Sequence, residues 1–393
     1  MREALLAGSD HLDAKSPMGH DHCSSRWQLV LLSSLFILWG ACNALNDVLI
    51  RAFQMSLSLG DAASSLVQTA FYFGYFFGAM PAAVLARWKG YKTCVCWGLL
   101  LVCTGCALFY PSSRNDDAMR YPLMLACLYL IAFGLAFLEC SANPWIVLLG
   151  NRRRAGGGTF ALNLAQSFNP LGAVGGVLLG RQLILSRESE EQIEAVGYTY
   201  LRLSAVFAAV LAGVVSTRFS AGNGGGAGAR ARRCLPFSCQ MVGACLRVRG
   251  FTCGVAAQFL CIGAQTCVWS FTIRYVTVAL PSLTDQQAAD ALLLSLLLFL
   301  AGRFASTATL RCIAADRLMA VQCAAASVSC LVAASASGML GVAALCTVSA
   351  FMGMLFPTIF GLALGQLDSE LTELGASLLV MSIVGGEIGR AHV

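Results

Sequence analysis

The chain has 393 residues, of which 58% are hydrophobic and only 12% charged, against about 25% charged in an ordinary soluble domain. A water-soluble fold of this composition would leave much apolar surface in water, so a bilayer is the solvent it suits. The net charge of +6 does not indicate nucleic-acid binding, because the Lys and Arg residues fall between apolar runs, where they set orientation.

Residues 1–26 read as a polar cytoplasmic tail without the shape of a signal peptide. Within it, His20-Asp21-His22-Cys23 offers metal-ligating side chains, but a disordered tail is the simpler reading and no metal is assigned. Ten apolar segments follow, near 27–51, 64–86, 93–110, 121–149, 159–184, 200–219, 251–279, 287–309, 318–337 and 339–365. Each approaches the ~20 residues needed to cross about 30 Å of hydrocarbon. An eleventh begins around residue 373.

Alternate loops are basic: Arg87, Lys89 and Lys92, then Arg152, Arg153 and Arg154, then a cluster from Arg230 to Arg249, then Arg311 and Arg317. The opposite loops carry fewer cations, offset by Asp116, Asp117, Glu188, Glu190, Glu191 and Glu194. The positive-inside rule therefore puts the N-terminus and the central loop in the cytoplasm, with the plasma membrane as the expected location.

The organisation expected is all-α, with an N-terminal six-helix bundle over 27–219 and a cytoplasmic linker over 220–250. An incomplete C-terminal bundle then occupies 251–386. The linker contains Gly224-Gly225-Gly226 and reads as flexible. No Gly-Lys-Ser/Thr follows those glycines, so they are not a phosphate loop. Weak likeness between the halves, as in Asn143-Pro144 and Phe356-Pro357, fits a duplicated transporter, natively of two six-helix bundles, with its ligand near the midplane. Residues 387–393 are similar to a sequencing-library adapter translated in an open frame. They are set aside as an artefact, so the chain is expected to be truncated in its eleventh span.

Most of the 18 cysteines lie in apolar runs and act as small hydrophobes. Cys103 and Cys106 have redox-motif spacing but lie in a span with no βαβ context. Gly172, Gly175, Gly176 and Gly180 are expected to allow close helix packing.

Charge within a span costs about 2.5–3.5 kcal/mol on insertion scales and marks pathways, relays or paired structural charges. Glu139 lies well inside the fourth span, with Asn143 four residues on and therefore on the same helical face. A carboxyl that is neutral when dry and charged when watered suits proton carriage; a protonated Glu bonding a neighbouring helix is the alternative. Asp47 shares a face with Asn43 toward the outer half of the first span. Such a pair either binds sugar hydroxyls or reaches headgroup water. Asn163 and Gln166 share a face in the fifth span, with Asn169 nearby, and Gln265 and Trp269 share one in the seventh. Amides and rings in this pattern fit an uncharged polyol, although some must serve as interhelical glue.

The runs Trp39-Gly40-Ala41-Cys42-Asn43-Ala44-Leu45-Asn46-Asp47, Gln68 to Tyr75, and Glu139-Cys140-Ser141-Ala142-Asn143-Pro144 resemble the fucose permease family of the major facilitator superfamily. Asn163 to Asn169, Gly263 to Ser270, and Pro357 to Phe360 carry the same likeness. The resemblance implies a proton symporter for L-fucose or a related hexose, working by alternating access. It implies proton coupling at Glu139, with Asp47 in sugar recognition and the same protonation cycle, and sugar contact at Gln166. Phe356 stands where the bacterial fucose permease has Tyr before the Pro, which puts strict L-fucose selectivity in question.

The expectation is thus a monomeric transporter and not an enzyme, since no His-Glu-x-x-His or comparable cluster occupies the spans. Its partners are a monosaccharide and the lipid bilayer, with no nucleic acid and no cofactor beyond the coupling proton. Sodium coupling, facilitated diffusion or a non-transporting sugar sensor are the competing readings.

Overall fold

The computed structural model describes residues 18–57, 61–154, 156–217, 237–283 and 285–386. Its regular elements are all helical: α1 (Met18–Ser56), α2 (Asp61–Lys89), α3 (Tyr91–Ser113), α4 (Asp117–Arg153), α5 (Gly157–Gln166), α6 (Asn169–Gly180) and α7 (Ser189–Ser216). After the central segment come α8 (Cys239–Arg247), α9 (Arg249–Ala279), α10 (Asp285–Thr309), α11 (Ala315–Ser335), α12 (Gly338–Met352), α13 (Leu355–Leu364) and α14 (Thr372–Met381). No strand occurs among the described residues.

Ten helical stretches are long and apolar enough to cross a membrane, and Thr372–Val384 forms a shorter apolar helix. They coincide with the expected spans because a helix is the structure that satisfies its own backbone in hydrocarbon. Leu178, Leu260, Val278 and Leu331 expose half or more of their surface, as lipid-facing side chains do. Residues 387–393, where the adapter-like peptide lies, are outside the described residues, as are the triple glycine and the side chains of His20 to Cys23.

Three expectations change. The fifth and tenth spans are broken rather than continuous: α5 ends at Gln166 before α6, and α12 ends at Met352 before α13. Proline explains both breaks. It lacks an N–H and clashes with the carbonyl four residues back, so Pro170 frees the carbonyl of Gln166 and Pro357 that of Gly353. The second change is that the expected linker holds a helix. Ser238 caps α8 by accepting from the Met241 N–H at 3.3 Å, and Met241 and Val242 pack against the main core. Third, α1 begins at Met18, inside the expected polar tail.

Helices α1 to α7 pack together, α4 lying against α2 and α3, and α6 against α1. Helices α9 to α13 form a second group around α12. The groups meet where α13 packs on α5 and α14 on α2 and α4. Near the basic ends, Arg87 Nη1 donates to the Glu370 carbonyl at 3.2 Å and Tyr91 OH to Glu373 at 3.4 Å. Cys103 and Cys106 are both free thiols, and Cys103 Sγ lies 3.2 Å from Ser204 Oγ.

The α1–α6 seam is built from glycine. A Cβ on Gly172 would collide with the Ile37 carbonyl, one on Gly176 would stand 2.7 Å from the Ala41 carbonyl oxygen, and one on Gly180 2.8 Å from Val48. Gly175 departs from expectation, since a Cβ there would meet nothing within 4 Å. It lies about 100° around α6 from the centre of the seam. Gly172→Ala should therefore cost about 1–3 kcal/mol by overpacking and lower the unfolding midpoint of the detergent-solubilised protein by several degrees. Gly175→Ala should leave that midpoint unchanged or slightly raised, because alanine is the better helix former. An equal fall at both positions would refute the assignment of this seam.

Candidate functional site

Glu139 sits 14 residues from the C-terminal end of α4, about 21 Å along the helix from its basic loop. It is 3% exposed, and neither carboxyl oxygen has a hydrogen-bond partner. Its polar neighbour is Asn143, one turn on, and it is near enough to the Tyr75 hydroxyl on α2 to interact electrostatically. Asn143 is fully buried; its Oδ1 accepts from Gln166 Nε2 at 3.1 Å, while its Nδ2 is left without a partner. The i, i+4 spacing thus does place Glu139 and Asn143 together, and the end of α5 brings Gln166 to them.

A second cluster adjoins this one through Tyr75, which accepts a hydrogen bond from Trp39 Nε1. The Trp39 ring lies 6.4 Å from that of Phe356, which stacks on Phe360 at 6.3 Å. Trp39 belongs to α1 and Phe356 to α13, so this aromatic contact spans the two helix groups. Asn46 Nδ2 donates to Gln68 Oε1 at 3.2 Å, and Asn46 Oδ1 is buried without a partner. Asn43 is half-buried on α1. Asp47 lies on α1 as well, but its side chain is outside the described residues.

Other nominated residues have different employment. Asn163 Nδ2 donates to the Thr159 carbonyl at 2.9 Å and to Thr358 Oγ1 on α13 at 3.1 Å, joining the groups as glue. Asn169 Nδ2 bonds the Phe36 carbonyl at 3.3 Å, fixing α6 to α1. Trp269 Nε1 donates to Ser349 Oγ at 3.1 Å, and Ser349 pairs with Ser295 at 2.6 Å. Gln265 is half-buried on α9. A cavity of about 1000 Å³ opens at the basic ends, between Arg154, Phe160, Arg311 and Gly361, and none of the nominated residues lines it.

Arg303 falls in the expected eighth span, 287–309, and is not among the residues nominated from the sequence. It is buried, 4% exposed, inside α10. Its Nη1 donates to the Gln166 carbonyl at 2.8 Å and its Nε to the Gly353 carbonyl. These are the two carbonyls that Pro170 and Pro357 set free. The guanidinium also lies 5.0 Å from the Phe299 ring centroid, and Phe299 stands edge-on to Trp269 at 5.1 Å. Through Arg303, the Trp269 cluster is therefore linked to Gln166 and on to Asn143. The signal was present in the sequence: Arg303 falls six residues inside the expected end of the eighth span, with Phe304 and Ala305 continuing the apolar run.

Among the described residues the site offers a buried acid, a row of amides, indole rings and one arginine occupied by main-chain carbonyls. Among the described residues no group of three or more His, Cys, Asp or Glu could hold a metal ion.

No protein-family model matches the sequence. Curated relatives do. The chain is 36% identical over 377 residues to the L-fucose-proton symporter of Escherichia coli K12, covering 91% of this chain and 84% of that protein. It is 31% identical over 383 residues to the L-fucose-proton symporter of Haemophilus influenzae, covering 91% and 86%. The glucose/galactose transporter of Brucella abortus is 29% identical over 370 residues, covering 92% and 85%. Among solved structures, the major facilitator superfamily transporter FucP in its outward conformation superposes with a TM-score of 0.81 at 34% identity, covering 94% of this chain and 91% of that one. The proton:xylose symporter XylE bound to 6-bromo-6-deoxy-D-glucose, at 12% identity and a TM-score of 0.70 over 94% and 88% of the two chains, shares the fold alone. The chain is a multi-pass membrane protein of the L-fucose-proton symporter family, in the major facilitator superfamily.

Proposed function

We propose that this protein imports a neutral monosaccharide, L-fucose or a related hexose, by proton symport with alternating access. The observation that carries the reading is Glu139, a carboxyl deep in a membrane span with neither oxygen partnered, beside a wall of amides. A carboxylate held charged there would need partners. A carboxyl that takes a proton from one side and releases it when water arrives needs none, which suits a carrier. Asn143 Nδ2, buried and without a partner, is the amide donor best placed to find one when a sugar hydroxyl or water enters.

In this reading Glu139 carries the proton, and Asp47 takes part in sugar recognition and in the same cycle. Asn43, Asn143, Gln166 and Gln265 supply hydrogen bonds to sugar hydroxyls, while Trp269 and Phe356 cover the apolar faces of the ring. Asn163 is freed for the sugar only if its bond to Thr358 opens with the movement of the halves. The basic ends face the cytoplasm of a plasma-membrane protein whose N-terminus is inside, acting as a monomer. The contacts of Arg87 with the Glu370 carbonyl and of Tyr91 with Glu373 then close one part of the inner side, beside the cavity at Arg154 and Arg311.

Glu139→Gln should abolish concentrative uptake while leaving sugar exchange across the membrane. Addition of L-fucose, D-galactose and D-glucose in turn to lightly buffered, de-energised cells should raise external pH with the true substrate in wild type and not in the variant. Labelled sugar entering with no pH change would replace proton symport by sodium coupling or facilitated diffusion. Full concentrative uptake by the Gln variant would remove Glu139 from the mechanism.

Phe356 bears on selectivity. It lacks a hydroxyl at the Trp39 contact, and the glucose/galactose transporters among the relatives favour a broader hexose range as a second reading. Phe356→Tyr should raise the preference for L-fucose over D-glucose by roughly 10-fold, the scale of a gained directional hydrogen bond. Competition assays in transporting cells would measure this, and an unchanged ratio would dismiss Phe356 as a selectivity determinant.

A further inference from the structure

We infer that Arg303 is a positioning residue that pins the two helix groups together on their basic side and thereby sets the balance between the two access states. This inference rests on the transporter reading for its meaning, although the contacts themselves do not. Arg303 has no acidic partner among the described residues; its hydrogen bonds go to the carbonyls of Gln166 and Gly353. Gln166 ends α5 in one group, and Gly353 follows α12 in the other. Each carbonyl sits at a helix C-terminus, where the backbone dipole is negative, and each has lost its normal donor to a proline four residues on. One guanidinium thus answers two helix ends from opposite halves.

The two bonds differ in what rearrangement does to them. Arg303 and Gly353 move together, so that bond survives any relative rotation of the halves. The bond to Gln166 crosses between halves and must break when the basic side opens. Opening also admits water, which can take over both the freed carbonyl and the guanidinium. The net cost of breaking the bond is then modest, which makes it a switchable contact rather than a permanent rivet. Because the Gln166 side chain holds Asn143 at 3.1 Å, the same movement releases the amide row next to Glu139. Arg303 therefore couples closure of the basic side to the arrangement of the site without touching the sugar.

The test is amide hydrogen–deuterium exchange on the full chain in lipid nanodiscs without sugar, comparing wild type with Arg303→Lys and Arg303→Met. Lysine keeps the charge and the stem but cannot span two carbonyls at once. Both variants should speed exchange roughly 10-fold in segments 157–168 and 353–361, the scale of a lost charged hydrogen bond. The outer ends, 42–54 and 270–279, should exchange more slowly as the opposite state gains population. Unchanged exchange at 157–168 would overturn the pin. Uniform acceleration through α3 and α7 as well would overturn it too, by making Arg303 a general stabiliser. If the Met variant fails to fold, the Lys variant alone decides. Since no sugar is present, failure of the uptake assays above and failure of this inference are separately visible.

Discussion

In hydrocarbon no water is available to a main-chain carbonyl, so every break in a spanning helix must be answered by another donor. That constraint organises the centre of this molecule. Pro170 and Pro357 each interrupt a span and each leave one carbonyl unanswered. Arg303 answers both, and in doing so fixes where α5, α10 and the α12–α13 junction meet. Around that point lie the Gln166–Asn143 amide pair, the Asn163–Thr358 bond, and the aromatic contacts of Phe299 with Trp269. The breaks are therefore not defects in two helices. They supply negative helix ends at the place where the two groups of helices face one another.

Away from this centre the cohesion is of another kind. Lipid tails are as apolar as leucine, so burying side chains gains little, and helices hold together by close contact and by scattered hydrogen bonds. The α1–α6 seam shows the first device, with Gly172, Gly176 and Gly180 letting the backbones approach within van der Waals range. The second appears in Asn169 bonding the Phe36 carbonyl and in Ser204 bonding the Cys103 carbonyl at 2.9 Å. The first group of helices carries the dense core, while α11 presents most of its surface outward.

The spans were legible in the sequence because length and hydropathy alone determine which segments cross a bilayer, and the pairing of Glu139 with Asn143 followed from helical periodicity. Partner choice between helices did not follow. Asn163 and Gln166 share a face by spacing, yet one bonds Thr358 and the other Asn143, because packing from α13 and α4 decides each. The carbonyls freed by Pro170 and Pro357 could have been counted from the sequence. Their common donor could not, since 137 residues separate Arg303 from Gln166 and no periodicity links them. The helix α8 was hidden for a different reason: the glycine-rich run before it biases any reading toward linker, whereas its capping serine is a short local signal.

Among the described residues Glu139 and Arg303 are the most deeply buried acid and base, and the structure treats them in opposite ways. Arg303 is bonded to two carbonyls and faces an aromatic ring; Glu139 has neither oxygen satisfied. The contrast follows from their chemistry. A guanidinium cannot shed its charge in a protein, so it can be buried only where fixed dipoles replace water, and those dipoles must be present in every state in which it is dry. A carboxyl has a second option, which is to hold a proton and become neutral. Burying it without partners is tolerable only by taking that option, and giving it permanent donors would remove the reason to take it. An acid meant to gain and lose a proton as the halves move is therefore best left poor in partners. The arginine that positions the amides beside it must be rich in them, and this core meets both requirements on two helices, α4 and α10, that α5 joins.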